Sequence, residues 1–268
     1  MNVGIMINIA IGITEPEPDR SFMQLVQQII QAGRQSIGGL SCIKEDVEIT
    51  FLTENNIKGF VRNLKARSNL KEPILPGEYY NSFGSNCKQE DKSLQFFEEA
   101  QYNGFIVLDL SKIHKSIGLV KSLCKLLENC GYAILLLNPK HVKFNHIILK
   151  YDGSGTSIFS IRAFSRFFPS EAKNADNATL ISPLAFTKYQ VAIEKKIIKR
   201  TTAYYGALGF IKLPLNTFTD LFSYSLKNKA DLLILSKPDL MEMLNVVTKK
   251  GFSNLFKGNK ISVFVGIE

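Results

Sequence analysis

The segment NHIILKYDGSG, residues 145–155, contains the clearest indication of the fold class. Its apolar centre, residues 147–149, predicts a short strand, and Asp152-Gly153-Ser154-Gly155 consists of residues that favour turns. A helical pattern follows, which we expect Thr156 or Ser157 to cap and Pro169 to end. Its apolar positions recur on one face: Ile158, Ile161, Phe164 and Phe168. A strand, a tight turn and an amphipathic helix in this order predict one unit of an α/β fold.

The same alternation continues to the end of the chain. Four more strands are predicted, at residues 178–181, 209–213, 231–235 and 261–265. Helices are expected at about 186–203, around 221–226 after a capping box at 217–220, and through 240–247. Residues 232–235 are apolar throughout, as in a strand whose two faces are both covered by helices. Five strands alternating with four helices predict a doubly wound parallel sheet.

The first half of the chain repeats this pattern. Strands are predicted at residues 3–9, 47–52, 104–108 and 132–137, with an uncertain one near Ile74. Helices are expected at residues 22–30, 91–102 and 117–127, and residues 138–141 form a linker. A period of about 140 residues is far longer than a solenoid repeat and indicates tandem domains. We therefore predict two α/β domains, residues 1–140 and 141–268, each with a doubly wound five-stranded parallel sheet.

Composition limits the class of protein. Of the 268 residues, 45% are apolar, which is enough for a buried core and excludes wholesale disorder. No segment approaches the roughly 20 apolar residues needed to span a bilayer, and the apolar N-terminus is better explained as a first strand than as a signal peptide. The 4 cysteines show no C-x-x-C spacing. We expect a reduced, cytoplasmic protein without a membrane partner.

Four stretches together resemble the universal stress protein family in its tandem form. They are residues 105–108 (FIVL), 122–130 (SLCKLLENC), 133–137 (AILLL) and 147–154 (IILKYDGS). Recognisable motif covers residues 105–168, whereas the likeness in architecture covers nearly the whole chain. The resemblance implies flavodoxin-like domains of the adenine nucleotide alpha hydrolase-like type and a role in the stress response. It also implies an intrachain pseudo-dimer in which the last strands of the two halves pair, and it allows a further homodimer.

The resemblance also points to a candidate ligand crevice in the second domain. Ligands of open parallel sheets lie outside the carboxyl ends of the strands where the strand order reverses. With the family's order of 3-2-1-4-5, Asp152 after strand one and Ser236 after strand four both face that crevice. In nucleotide-binding members the Asp contacts the adenosine part of ATP, so Asp152, Gly153 and Ser154 are candidate nucleotide-binding residues. The alternative is that these three residues form only a turn and a helix N-cap, and the residue types favour it.

The phosphate loop of the nucleotide-binding members, G-x-x-G-x9-G-[S/T], is missing. In the second half its glycine positions fall near Asp239, Glu242 and Lys249, with Pro238 between strand and helix. In the first half they fall near Ser111, His114 and Lys121, and only Ser122 keeps the hydroxyl. The first half also has Gly12-Ile13-Thr14 where the family's Asp would stand. The chain therefore resembles family members that lack the loop.

Basic residues offer two alternatives to this interpretation. The net charge is +9, and all of the excess lies in residues 141–268. One set of lysines could replace the lost phosphate cradle: Lys237, Lys249, Lys250 and Lys257. Another set lies on one side of the helix near residue 195 and raises a nucleic-acid hypothesis: Lys195, Lys196, Lys199 and Arg200. Solvated surfaces explain both sets more simply, and without an accompanying RNA-binding motif we expect no nucleic-acid partner.

Motifs for catalysis or metal binding are missing from the sequence. His114, His141 and His146 do not pair with Cys or carboxylates at ligand spacing, and Cys124 and Cys130 are expected to be buried. There is no nucleophile elbow, Walker loop or dinucleotide fingerprint. We predict a stress-response protein that acts by binding a small ligand or a protein partner, with no catalytic residue, metal or cofactor. The alternative is an ATP- or AMP-binding sensor or slow ATPase that uses Asp152.

Overall fold

The computed structural model describes residues 7–12, 47–52, 104–126, 132–138, 143–183, 187–214, 217–248 and 259–267. These residues form one nine-stranded sheet in the order β2-β1-β3-β4-β9-β8-β5-β6-β7. All neighbours are parallel except β4 and β9. The strands are β1 Ile7–Gly12, β2 Val47–Leu52, β3 Gly104–Asp109, β4 Tyr132–Leu137, β5 His146–Lys150, β6 Asn177–Ser182, β7 Leu208–Lys212, β8 Leu232–Leu235 and β9 Ser262–Ile267.

Helices cover both faces of this sheet. A 3-10 turn at Leu110–Lys112 precedes the first α-helix. The α-helices are α1 Ile113–Leu126, α2 Gly155–Phe167, α3 Pro169–Asn174, α4 Lys188–Thr202, α5 Phe218–Lys227 and α6 Lys237–Thr248. One core lies between the sheet and helices α1, α5 and α6, and the other lies between the sheet and helices α2, α3 and α4.

The central strands contribute side chains to both cores. Along β4, Ile134 and Leu136 belong to the core under α1, α5 and α6, whereas Leu135 and Leu137 belong to the opposite core. Every residue of β4, β8 and β9 is buried. Alternate side chains point to opposite faces of a sheet, so a strand covered on both faces is apolar at each position. This is why β4 and β8 appear in the sequence as continuous apolar runs.

The antiparallel β4–β9 pair joins the two halves of the chain. Its register runs from Tyr132↔Ile267 to Leu136↔Val263. Beyond the end of β4, the backbone N–H of Asn138 donates to Ser262 Oγ at 3.0 Å. The Asn138 side chain donates to the Asn259 carbonyl at 2.6 Å. The two parallel parts of the sheet are thus continuous across one antiparallel junction.

Aromatic packing reinforces the same junction on the α2 face. The ring of Phe105 on β3 lies 5.3 Å from that of Phe167 and 5.2 Å from that of Phe168. The ring of Phe264 on β9 makes edge contacts with Phe164 at 5.3 Å and with Phe168 at 6.0 Å. Tilted and edge contacts at such distances are the favoured geometries of aromatic pairs. Residues from both halves therefore share one aromatic core.

The structure confirms an α/β fold with a mostly parallel sheet. Strands β2 and β4 have the predicted bounds, β3 ends one residue later than predicted, and the second-half strands differ from the predicted ones by one or two residues at their ends. Residues 7–9 of the predicted first strand are confirmed in β1, which continues to Gly12 rather than ending at residue 9, and residues 3–6 lie outside the described residues. Pro169 ends α2 as expected and begins α3 at its first position, where its missing N–H costs nothing.

Several sequence predictions lie outside the described residues. These are the strand near Ile74, the helices at residues 22–30 and 91–102, and most of the linker at 138–141. Among the described helices, none combines the length and the apolarity needed to cross a membrane.

Candidate ligand crevice

The carboxyl ends of β5 and β8 define the candidate crevice. From β5 the chain moves outward through β6 to β7 and then returns to β8 on the other side of β5. The order of this half, β7-β6-β5-β8-β9, is the 3-2-1-4-5 order on which the crevice prediction depended. Asp152 follows β5 and Ser236 follows β8. The two residues therefore lie at the point where the strand order reverses, which is where ligands of open α/β sheets bind.

Asp152, Gly153 and Ser154 form a tight turn that starts α2. Asp152 Oδ1 accepts hydrogen bonds from the Ser154 N–H at 2.8 Å and from the Ser154 hydroxyl. Gly153 has φ of +90°, which an L side chain rarely adopts. The hydroxyl of Ser154 accepts from the Ser157 N–H at 3.2 Å. These contacts account for all three residues as a turn and a helix N-cap.

The expected cap at Thr156 or Ser157 was wrong, because Ser154 is the N-cap of α2. Ser154 has extended backbone angles, with φ of −93° and ψ of 159°, whereas Thr156 and Ser157 already lie in the first helical turn. The Ser157 hydroxyl donates to the Ser154 carbonyl at 2.9 Å instead. Three hydroxyl residues close to one turn left the sequence ambiguous, since any of them could have been the cap.

The electrostatics of Asp152 favour its ionised form. Burial by itself would raise its pKa, but hydrogen bonds from the side chain and backbone of Ser154 outweigh burial. The hydroxyls of Ser157 and Ser236 add to this effect, and the pKa of Asp152 is lowered overall.

Ser236 and Asp239 build a capping arrangement at the start of α6. The Ser236 hydroxyl donates to Asp239 Oδ2 at 2.7 Å, and the Ser236 N–H approaches the same oxygen at 3.3 Å. The Asp239 N–H points back to Ser236 Oγ at 3.4 Å. A carboxylate in the first turn of a helix also interacts favourably with the helix dipole. Asp239, at a position where the nucleotide-binding motif has glycine, thus stabilises the helix end.

A buried ion pair crosses the crevice. The ammonium group of Lys150, the last residue of β5, contacts Asp239 Oδ1. Only 13% of the Lys150 side chain and 8% of the Asp239 side chain are exposed. The one lysine at the end of β5 is therefore neutralised by a carboxylate of this chain, and both oxygens of Asp239 have partners. An incoming phosphate would compete with Asp239 for Lys150 and would be repelled by Asp152.

A second buried carboxylate lies at the same edge of the sheet. Glu194 on α4 is 6% exposed. Its Oε1 accepts from the Ser182 hydroxyl at 2.7 Å, and its Oε2 lies 2.7 Å from Lys212 Nζ. The pair links α4 to the ends of β6 and β7. Sequence analysis missed both ion pairs, because each joins residues far apart in the chain.

The remaining candidates from the sequence have these positions. Lys249, Lys250 and Lys257 lie outside the described residues, as do His141 and Cys130. Lys237 is half-buried at the start of α6, and His114 is exposed at the start of α1. Cys124 is buried, as expected. Within the ranges that the structure covers, no group of three His, Cys, Asp or Glu residues could hold a metal ion.

Comparisons with known proteins do not identify a family. No family model matches the chain, and no curated protein matches it. The crystal structure of shikimate dehydrogenase from Aquifex aeolicus aligns with 85% of this chain and 67% of its own, at 13% sequence identity and a TM-score of 0.20. At that TM-score the alignment carries no argument about fold or function.

Proposed function

We propose that this chain is a tandem universal stress protein of the cytoplasm that acts in the stress response by binding a protein partner or a small ligand, without the ATP site of its nucleotide-binding relatives. Under this proposal residues 1–140 and 141–268 are two related domains. Asp152, Gly153 and Ser154 then serve as scaffold at the crevice, and the chain has no catalytic residue.

The observation that carries the proposal is the mirrored strand order about the β4–β9 junction. Reading outward from β9, the order is β9, β8, β5, β6, β7; reading outward from β4, it is β4, β3, β1, β2. In each half, the last strand in the sequence lies innermost. Next to it lies the preceding described strand of that half, and next to that lies the half's first described strand. Two halves with the same order, joined by their last strands, are the arrangement expected of an intrachain pseudo-dimer. The pairing also covers two sheet edges that would otherwise be open to association.

The chemistry of the crevice supports the second part of the proposal. A phosphate cradle needs backbone N–H groups that approach the anion closely, which glycines permit. Here Asp239 is buried at such a position and is bound to Lys150 and Ser236. Removing Asp239 from Lys150 would leave a buried carboxylate without its cation, which is strongly unfavourable. The chain's own carboxylate thus takes the place that a phosphate would need.

Thermal unfolding with and without 5 mM ATP, ADP or AMP tests the nucleotide part. A ligand at about one hundred times its Kd stabilises a protein by roughly 2.7 kcal/mol, which is a shift of several degrees. We expect no such shift for the wild type or for Asp152→Ala. A shift of several degrees in the wild type that Asp152→Ala abolishes would favour the nucleotide sensor instead.

The stress-response part needs a separate measurement in cells. We expect a strain that lacks this protein to grow normally but to lose viability faster during prolonged starvation or oxidative stress, and the wild-type gene to restore survival. The Asp152→Ala gene should restore survival as well, because the residue has a scaffold role. Unchanged survival under all such stresses would contradict the proposal.

A further inference from the structure

Helix α4 carries an unusually one-sided charge. Its sequence, KYQVAIEKKIIKRTT, contains five basic residues and one acidic residue. That acidic residue, Glu194, is buried and bound to Lys212 and Ser182, so it does not balance the basic residues on the outer surface. The helix therefore presents positive charge to solvent with no carboxylate of its own beside it.

The lysines of α4 lie on a single outer face. Four are exposed, and none has an ion-pair partner among the residues that the structure covers: Lys188, Lys195, Lys196 and Lys199. Their successive spacings of seven, one and three residues keep them within about 100° around the helix. The opposite side contains the buried Glu194, Ile197 and Thr201, which face the sheet. We call the four exposed lysines the α4 basic face.

Two exposed tyrosines lie at the two ends of α4. Tyr189 is 62% exposed in the first turn of α4, and Tyr204 is 42% exposed just after its last turn. Only one other large hydrophobic residue of the described chain, Leu226, is comparably exposed. Tyr205, next to Tyr204, is buried and donates from its hydroxyl to the Ile161 carbonyl at 2.9 Å, which fixes the turn that presents Tyr204. The tyrosines lie roughly 20 Å apart along the helix axis, given a rise of 1.5 Å per residue.

We propose that the α4 basic face, with Tyr189 and Tyr204, binds single-stranded nucleic acid. Lysines contact successive phosphates, and the exposed rings provide surfaces on which unpaired bases stack. This role is additional to the proposed function and does not depend on the crevice. The sequence alone did not favour it, because the exposure of the tyrosines and the inward position of Glu194 are visible only in the fold.

Charge and packing favour nucleic acid over two other anionic partners. A membrane-surface helix inserts its apolar side into the lipid, but the apolar side of α4 is committed to the core under the sheet. Protein interfaces are depleted in lysine, whereas phosphate backbones are bound by lysine and arginine. Stacking on exposed rings requires bases that are not already stacked in a duplex, so single strands are preferred.

The salt dependence of binding gives the expected magnitude. Each phosphate contact on a single strand contributes about −0.7 to the slope of log K against log salt. Four lysines therefore predict a slope of about −2.8, which is an affinity loss of about 50-fold between 50 and 200 mM salt. The triple variant Lys195→Gln/Lys196→Gln/Lys199→Gln leaves one contact, and its affinity should fall only about threefold over the same range.

Fluorescence anisotropy with a labelled 20-nucleotide polyuridine tests the proposal on the full chain. The matched control is Lys125→Gln/Lys227→Gln/Lys260→Gln, which removes the same charge from exposed lysines outside α4. We expect the control to keep the wild-type slope and the α4 triple variant to lose most of it. Tyr189→Ala and Tyr204→Ala should each weaken binding about fivefold or more without changing the slope, because stacking does not depend on salt in this way.

Four results would overturn the proposal. The first is no binding of polyuridine at 100 μM protein in 50 mM salt. The second is an equal loss of binding in the α4 and control variants, which would mean that only net charge matters. The third is equal affinity for a duplex of the same length, and the fourth is equal affinity for polyglutamate, which would indicate an acidic protein partner. Circular dichroism of each variant establishes that it is folded.

Discussion

The Lys150–Asp239 ion pair yields the sharpest prediction about the crevice. Its two side chains are only 13% and 8% exposed, and Asp239 Oδ2 is held by Ser236. Removing one partner of a buried pair leaves an uncompensated charge and costs about 3–5 kcal/mol. With about 2–4 °C of Tm per kcal/mol for a protein near this size, Lys150→Met should lower Tm by roughly 6–20 °C. Asp239→Asn should have a similar effect, because it leaves Lys150 without its anion.

The double variant separates the destabilisation caused by one unpaired buried charge from the net contribution of the intact ion pair to stability. Replacing both ions by apolar groups of similar size is often neutral or stabilising. Lys150→Met/Asp239→Leu should therefore unfold within about 1 kcal/mol of the wild type, measured by urea denaturation at pH 7. If each single substitution costs less than 1 kcal/mol, or if the double variant costs the sum of both, then the pair is not a desolvated, coupled unit and our account of the crevice is refuted.

Three further predictions concern packing and pH. A Cβ on Gly266 would lie 2.5 Å from Phe159 Cδ1, so Gly266→Ala should lower the free energy of unfolding by about 1–3 kcal/mol in urea denaturation. The control is Gly118→Ala in the interior of α1, where a Cβ meets nothing within 4 Å, and it should be neutral or stabilising. Equal effects of the two substitutions would contradict the close approach of α2 to β9. Because the pKa of Asp152 is lowered, its contribution to stability is present above the ordinary aspartate pKa of 3.8 and is lost as pH falls through the folded pKa. The wild type should therefore lose stability relative to Asp152→Asn between pH 5 and pH 2, and a constant difference would refute this. Burial raises the pKa of Glu171 above its ordinary value of 4.5, so its ionised form destabilises the fold at neutral pH. Glu171→Gln should therefore raise Tm at pH 7, and this gain should disappear below pH 4.5. A lower Tm of the variant at pH 7 would contradict this prediction.

Much of the sheet was predictable because strands that are covered by helices on both faces appear in the sequence as short runs of apolar residues. The segment YAILLL is apolar at every position and matches β4 residue for residue. The end of β1 was less certain, because its apolar run continues beyond residue 9 through Ile11 and no turn residue stands between residue 9 and Gly12. The strand order, in contrast, was expected from the family resemblance, because right-handed crossovers and short connections are compatible with several orders. The spacing of apolar residues and the positions of turn-forming residues thus account for the elements that were predicted well.

The crevice was predictable in its position but not in its chemistry. Asp152 and Ser236 were expected to meet because each follows a strand at the reversal of the order. The contact of Lys150 with Asp239 spans 89 residues, and nothing in the local sequence of either one indicates it. The inward position of Glu194 was equally hidden, since a glutamate in a lysine-rich helix is typical of a solvated surface. Long-range pairs of this kind depend on the fold and cannot be derived from spacing.

Amide hydrogen exchange across the β4–β9 junction is a direct test of whether the last strands of the two halves are paired. If one continuous sheet joins the halves, the amides of Ile134 and Val265, which are register partners, should exchange only on global unfolding and with the same free energy. That energy should equal the one from urea denaturation. Fast exchange of β9 amides while β5 and β8 remain protected would mean that the junction is open, and it would contradict the pairing from which the proposed function is argued.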